Sequence, residues 1–172
     1  MKITCIALCG VNALNIPHIV KSVISQDYED WSLILNVKPN VSNLEFADAY
    51  ANKDHRICVT TIGNTDYEIK NILNIIEQYD IEGPLCLIGA NDRLIDKSTF
   101  SMISDAFMNG YHVVWTNCIS PSNSIIENKN IKYNIDPYTM PHLLGPMIAF
   151  DAQLLNYIDE KNYQGPGNIW LK

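Results

Sequence analysis

The sequence predicts an α/β fold, a three-layer sandwich in which helices cover both faces of a mostly parallel central sheet. Three observations carry this prediction. Short, nearly continuous apolar runs recur along the chain, as in strands that are buried on both faces. Between these runs, apolar residues recur at helical spacing. The two kinds of segment alternate, and such alternation implies right-handed βαβ units and a parallel sheet.

Length and composition narrow the class of protein. The chain has 172 residues, of which 47% are hydrophobic, so we expect one domain, residues 1–172, with a sizeable core. Its net charge of -7 disfavours binding to nucleic acid or to an anionic membrane, because both require a basic surface. No apolar run reaches membrane-spanning length, and no cationic, apolar leader is present. We therefore expect a soluble, cytoplasmic protein.

The five cysteines are an odd number, and most of them lie inside apolar runs. Such thiols behave as small hydrophobic side chains, so we expect reduced cysteines in the core. No Cys-x-x-Cys pair occurs, and a metal site built on thiolates is therefore not expected.

The N-terminal segments open the alternation of strands and helices. Residues 3–8 form an apolar run that predicts a buried, central strand. Residues 16–24 carry apolar side chains at helical spacing, and Pro17 is tolerated because it falls in the first turn. Residues 31–37 predict the second strand.

The next segments continue this order. Ser42 is the predicted N-cap of a short helix that reaches Tyr50, and residues 56–62 predict a third strand rich in β-branched side chains. Residues 65–68 have the spacing of a capping box, in which a Thr hydroxyl and a Glu carboxylate satisfy amides at the start of a helix. Residues 69–76 give that helix one apolar face.

The fourth predicted strand, residues 85–88, ends in a polar turn at residues 89–92. Ligands of open α/β sheets bind just beyond the carboxyl ends of the strands. Asn91 and Asp92 supply oxygen atoms at such a position, and small neighbours leave room for a ligand. The structural alternative is that both side chains only cap the following turn.

The remaining periodic segments are shorter. A helix begins at Asp96 or Ser98, and residues 111–116 predict the next strand. Residues 146–150 predict the last strand, after which Asp151 caps a helix.

The periodicity stops after Cys118. Residues 119–141 contain prolines and many Asn and Ser residues, and a segment of this length is typical of a functional loop. We interpret it as a loop-rich flap with a short hairpin around Ile125 and residues 131–133.

Several common catalytic motifs are absent from the sequence. Gly10 stands alone where a dinucleotide-binding fold would have Gly-x-Gly-x-x-Gly, and no Gly-x-x-x-x-Gly-Lys-Ser/Thr segment occurs. No Gly-x-Ser-x-Gly elbow is present to hold a hydrolase nucleophile. The four histidines have no metal-ligand spacing.

Four segments together carry a resemblance to a known family. The first, residues 3–28, ends in the distinctive Ser-Val-x-x-Gln-x-Tyr pattern at residues 22–28. The others are residues 30–35, 83–94 and 145–155. Taken in order, they cover most of the chain and resemble the nucleotide-sugar glycosyltransferases of the GT-A fold, in particular the large inverting family 2.

This resemblance implies a Rossmann-like GT-A fold and a mechanism. Such an enzyme transfers a sugar from a nucleoside-diphosphate sugar to a hydroxyl group on a glycan, lipid or protein. An acidic group after the second strand binds the nucleobase, and an Asp-x-Asp motif after the fourth holds a divalent cation, Mn²⁺ or Mg²⁺, on the diphosphate. A later carboxylate deprotonates the acceptor hydroxyl.

The sequence departs from the family pattern at each of these places. Asn36 lies where paired aspartates are frequent, and residues 89–92 keep one carboxylate where Asp-x-Asp-Asp would fall. The acids nearest to the expected base are Asp159 and Glu160, for which solvated charges at a helix end are the simpler interpretation.

Comparison of the sequence with the family pattern defines a candidate site. Other functions remain open. The candidate donor-binding residues are Asn12, Asn36, Asn91 and Asp92, of which Asp92 and Asn91 are the candidate metal ligands. A degenerate, non-catalytic domain that binds a sugar, a nucleotide or a protein is the main alternative. A nucleotidyltransferase is disfavoured, because no glycine-rich, basic phosphate loop follows the first strand.

Overall fold

Strands and helices alternate along the part of the chain that the structure describes. The computed structural model describes residues 1–10, 13–39, 41–61, 68–89, 91–119, 125–126 and 147–157. The strands are β1 (Ile3–Gly10), β2 (Trp31–Val37), β3 (Ile57–Thr60), β4 (Pro84–Gly89), β5 (Val113–Trp115), β6 (Cys118–Ile119), β7 (Ile125–Ile126) and β8 (Ile148–Asp151). The α-helices are α1 (Ile16–Ile24), α2 (Val41–Ala51), α3 (Glu68–Tyr79) and α4 (Thr99–Met108), and 3₁₀ helices cover Ala13–Asn15 and Ala152–Tyr157.

Within the described residues, the central sheet has six strands in the order β3-β2-β1-β4-β8-β5. β3, β2, β1 and β4 are parallel to one another, whereas β8 runs antiparallel to both of its neighbours. The predictions of a mostly parallel sheet and of an interior first strand are therefore confirmed. The antiparallel strand is the exception that the alternation of strands and helices did not indicate.

Both faces of the sheet are covered, and β1 contributes to both. Cys5 and Ala7 belong to a core cluster with buried side chains of α1, α2 and α4. Ile6 belongs to a second cluster, with buried side chains of α3 and the C-terminal 3₁₀ helix. Because successive strand residues face opposite sides of a sheet, these contacts place the helices in two layers. The predicted three-layer sandwich is confirmed.

The strand order changes direction between β1 and β4. From β1 the chain passes to β2 and then to β3, with α1 and α2 on one face. α3 then returns it across the opposite face to β4, on the other side of β1. The carboxyl ends of β1 and β4 are therefore neighbours at the point where open α/β sheets hold their ligands.

Gln26, the glutamine of the Ser-Val-x-x-Gln-x-Tyr pattern, joins the end of α1 to the start of α4. Its buried side chain donates from Nε2 to the carbonyl oxygens of Ser22 (3.1 Å) and Asp96 (2.9 Å). Its Oε1 accepts from the backbone N–H of Phe100 at 3.0 Å. Ser98, at the N-cap position of α4, makes no side-chain capping bond, so Gln26 satisfies an amide that a cap would otherwise serve.

Two sequence predictions need correction, and a third is tested only in part. α2 begins at Val41, so Ser42 lies within its first turn and is not its N-cap, an offset that end-of-helix rules commonly give. Ile125 of the predicted hairpin pairs with Ile119 of β6, and residues 131–133 of that hairpin lie outside the described residues. After Asp151 the chain forms a 3₁₀ helix and not an α-helix, although Asp151 does accept a capping bond from the N–H of Gln153 at 3.1 Å.

Other boundaries shift less. β3 covers four of the residues predicted at 56–62, and α3 begins at Glu68, the last residue of the predicted capping box. Residues 65–67 of that box lie outside the described residues. Both differences leave the order of elements unchanged.

The cysteines whose side chains are described are free thiols, as expected. Cys5, Cys9 and Cys86 are buried, and Cys58 is half-buried. Burial raises the pKa of the Cys9 and Cys86 thiols to about 12, which keeps them protonated and unreactive. Over the same described ranges, no helix is long and apolar enough to cross a membrane.

Candidate donor site at the carboxyl ends of β1 and β4

Two asparagines meet across the carboxyl ends of β1 and β4. Asn15 is the N-cap residue of α1, which follows β1, and Asn91 follows β4. The Nδ2 of Asn15 donates a hydrogen bond of 2.6 Å to the Oδ1 of Asn91. The contact joins segments that are far apart in the sequence, and it brings the predicted turn at residues 89–92 against the start of α1.

Asp92 is the carboxylate of this site. Its backbone N–H donates to the Gly89 carbonyl oxygen at 3.1 Å, and its side chain is partly buried. Desolvation raises the pKa of this carboxyl above its ordinary value of 3.8, and a backbone hydrogen bond with Gly89 opposes the shift. No positively charged side chain of the described residues forms an ion pair with it. A cation would therefore stabilise its ionised form.

Gly89 is required for this arrangement because of its missing side chain. A Cβ atom at Gly89 would lie 2.6 Å from Oδ2 of Asp92 and 3.6 Å from its Cγ. The first distance is shorter than van der Waals contact allows. The glycine that ends β4 therefore makes room for the carboxylate three residues later.

Replacing Gly89 with alanine should move the Asp92 carboxylate with little loss of stability. The new methyl group would meet the end of a rotatable side chain, which can turn away, and the Gly89 backbone is not in the left-handed region. We expect cation-dependent ligand affinity at the site to fall about 10- to 100-fold, as when a metal ligand is no longer held in position. Thermal unfolding and titration with a nucleotide sugar measure the two effects.

Gly110→Ala is a control for which we expect the reverse result, a loss of stability without a loss of affinity. It has a φ of +86° at the end of α4, and no atom lies within 4 Å of an added Cβ. Gly110→Ala should cost about 1–2 kcal/mol of stability through the left-handed backbone, with ligand affinity unchanged. Wild-type affinity in the Gly89→Ala variant would show that the Asp92 carboxylate does not contribute to binding.

The segment after Asp92 is fastened to α1. The backbone N–H of Leu94 donates to Oγ of the buried Ser22 at 3.2 Å, and that hydroxyl donates in turn to the carbonyl oxygen of Ile19 at 2.7 Å. The Gln26 bond to the Asp96 carbonyl oxygen holds the same segment two residues further on. The family-like pattern at residues 22–28 thus fixes the course of the chain that carries Asp92.

The structure places Asn36 away from this pair. It is the second-last residue of β2, in register with Leu8 of β1 and Thr60 of β3. It is therefore two strands from β4, a separation of about 10 Å. Asn36 lies at the same edge of the sheet as Asp92, but two strands further along it, toward β3.

The remaining predicted site residues cannot be placed. Asn12, Asp159 and Glu160 lie outside the described residues, as does most of the predicted flap at 119–141. Sequence reasoning missed Asn15 as a site residue. Its position just before a helix, at the edge of the sheet where β1 ends, was the available signal.

Among the described residues, the site offers oxygen ligands for a cation but no cluster of three or more metal-ligating side chains. Among the residues that are described, no three His, Cys, Asp or Glu side chains come together. Asp92 supplies a carboxylate, and Asn91 supplies an amide oxygen that has a second lone pair beyond its bond to Asn15. Hard cations such as Mg²⁺ are bound by one or two carboxylates together with substrate phosphates and water, so this set fits a cation that is shared with a diphosphate.

Comparison with known proteins finds matches among solved structures. No protein-family model and no curated protein sequence matches the chain. TarS 1–349 from S. aureus matches with a TM-score of 0.68 and 15% identity, over 91% of this chain and 48% of that chain. The same TarS fragment in complex with UDP-GlcNAc gives a TM-score of 0.70 and 16% identity, over 91% and 47%. The mannosyltransferase PcManGT from Pyrobaculum calidifontis, in complex with GDP-Man and Mn²⁺, gives 0.63 and 14%, over 90% and 45%.

These likenesses define the class of fold. The chain has the GT-A fold of nucleotide-sugar glycosyltransferases, as the resemblance of its segments implied. It spans about half the length of these structures.

Proposed function

We propose that this chain is a glycosyltransferase domain that moves a sugar from a nucleoside-diphosphate sugar to a hydroxyl acceptor. The observation that carries the proposal is the position of the Asn91 and Asp92 pair. They lie at the carboxyl end of β4, beside β1, at the switch point of a GT-A fold. The complexes of TarS with UDP-GlcNAc and of PcManGT with GDP-Man support a nucleotide sugar as the ligand.

The donor diphosphate would bind at Asp92 and Asn91. The Mn²⁺ in the PcManGT complex supports a divalent cation, Mn²⁺ or Mg²⁺, that these two residues would hold. When bound, such a cation neutralises charge on the departing diphosphate. Asn36 and Asn12 are the proposed contacts to the nucleoside, because Asn36 lies near the carboxyl end of β2 and Asn12 follows β1 in the sequence.

The proposed reaction inverts the configuration at the sugar carbon. The acceptor oxygen forms a bond to that carbon while the bond to the diphosphate breaks, and the nucleoside diphosphate takes the electron pair. A carboxylate takes the acceptor proton, for which Asp159 and Glu160 remain the candidates. The acceptor belongs to a glycan, a lipid or a protein. A cytoplasmic location remains part of the proposal, and the free thiols Cys5, Cys9, Cys58 and Cys86 support it.

One observation favours a second candidate function. The described part of the site has a single carboxylate, Asp92, where the resemblance implies several. Fewer charged ligands lower the affinity for a cation. A domain that binds a sugar, a nucleotide or a protein partner without turnover is therefore the alternative.

Thermal unfolding of the whole chain against a panel of UDP- and GDP-sugars tests the proposal. Each donor is added with Mn²⁺, with Mg²⁺ or with EDTA. A ligand of the folded state raises stability by about 2.7 kcal/mol at a hundredfold excess over its dissociation constant. Stabilisation by one donor together with its hydrolysis or transfer supports the enzyme. Stabilisation without turnover favours the non-catalytic alternative, and no stabilisation by any donor removes the proposed donor site.

A further inference from the structure

The Asn15 side chain has no part in capping the helix that it precedes. Asn is among the residues preferred at N-cap positions, where its oxygen accepts from an amide of the first turn. Asn15 makes no such bond. Its backbone is already helical (φ -90°, ψ -15°), since it also ends the 3₁₀ helix at Ala13–Asn15. Its side chain reaches Asn91 instead.

The contact restricts a side chain that would otherwise rotate freely. Asn91 is exposed, and among the described residues its carboxamide has one hydrogen bond, from Nδ2 of Asn15. That bond occupies one lone pair of Oδ1 and fixes which way the carboxamide faces. The second lone pair and the amino group of Asn91 are left for a ligand. Ordering one such side chain only upon binding costs affinity, and prior ordering avoids that cost.

We propose that Asn15 is a positioning residue of the donor site, which acts on the donor through Asn91. This inference rests on the proposed function and gives a role to a residue of the first family-like segment, residues 3–28, that was not among the predicted site residues. Asn15 orders the Asn91 carboxamide before the nucleotide sugar arrives, and it couples the start of α1 to the turn that carries Asp92. It does not touch the donor.

A double-mutant cycle separates positioning from direct contact. Asn15→Ala should weaken binding of the stabilising nucleotide sugar about 3- to 10-fold, the range expected when one side chain has to be ordered by the ligand. Because Asn15 acts through Asn91, the same substitution in an Asn91→Ala background should cause no further loss. The exposed Asn52, just after α2, provides the matched control, and Asn52→Ala should bind as the wild type does.

The midpoint temperature of thermal unfolding without ligand is the second measurement on the Asn15→Ala variant. The amide contact is exposed, so Asn15→Ala should unfold at the wild-type temperature in the absence of ligand. Unchanged affinity in Asn15→Ala overturns the inference. If Asn15→Ala causes the same loss of affinity in the Asn91→Ala background as in the wild type, Asn15 contacts the donor directly, and the inference is also overturned. A lower midpoint without ligand overturns it in favour of a structural role. If the wild-type chain binds no nucleotide sugar, the proposed function fails as well.

Discussion

Replacing Asp92 with asparagine should abolish cation-dependent donor binding while leaving the unliganded fold at least as stable as the wild type. The affinity is lost because the described site has no second carboxylate to hold a cation. The fold tolerates the change because Asn has nearly the same shape and no charge to desolvate. Isothermal titration with the donor and Mn²⁺ measures the first effect, and thermal unfolding measures the second.

The pH dependence of stability has a definite sign. Burial raises the pKa of Asp92 above its unfolded value, so the folded state holds this proton more tightly than the unfolded state does. The wild type should therefore lose stability relative to Asp92→Asn as pH rises from the ordinary pKa through the raised one. A constant difference between the two proteins across that range would contradict the burial of this carboxylate.

The exposed Asp105 of α4 is a matched control for charge. Asp105→Asn makes the same chemical change outside the site and should leave donor binding unchanged. If Asp92→Asn binds the donor with wild-type affinity and cation dependence, Asp92 is not a ligand of the cation.

Replacing Gln26 with methionine should lower the free energy of unfolding by about 1–3 kcal/mol. Methionine fills a similar volume but leaves the buried Phe100 N–H without its Gln26 partner, whereas the Asp96 carbonyl oxygen keeps a hydrogen bond of 2.8 Å from the Thr99 hydroxyl. Each buried group that loses its hydrogen bond costs about 1–3 kcal/mol. Urea unfolding measures the loss, and amide hydrogen exchange should show reduced protection at Phe100.

Ser101→Ala is the control for burial, because it removes another hydrogen bond between the start of α4 and the segment after α1. It removes the hydrogen bond of 2.7 Å from the Ser101 hydroxyl to Oδ1 of Asp27, which is exposed. Water can replace an exposed partner, so the loss should stay below about 0.5 kcal/mol. Equal losses in Gln26→Met and Ser101→Ala would show that burial does not strengthen the Gln26 bonds.

Much of the fold could be predicted because its signals are local. The apolar runs of β1, β2 and β4 are continuous, since these strands are buried on both faces, and such runs mark parallel strands. The position of β8 could not be predicted in this way. Its four residues have no pattern that distinguishes an antiparallel strand inserted between β4 and β5 from one at the edge of the sheet.

The residues of the candidate site also differ in whether the sequence alone could indicate them. Asn91 and Asp92 could be selected because a polar turn directly follows a buried strand. Asn15 had only a weak signal, its place just before a helix, because its contact with Asn91 depends on how two separate loops approach one another. The role of Gln26 was hidden for the same reason: the pattern at residues 22–28 pointed to a family, but only the folded chain shows which backbone groups the glutamine binds.

The insertion of β8 between β4 and β5 has a consequence for how the protein is made. A chain that leaves the ribosome from its N-terminus can pair β1 to β4 through local βαβ connections, and domains generally begin to fold in that order. β5 must wait, because its partner in the sheet, β8, is synthesised after it and is the last of the strands in the described residues. Until then, the apolar β4 has one unpaired edge, which is a template for intermolecular pairing. We expect fragments that end before residue 147 to aggregate although they contain Asn15, Asn91 and Asp92, so a soluble minimal donor-binding fragment has to include β8.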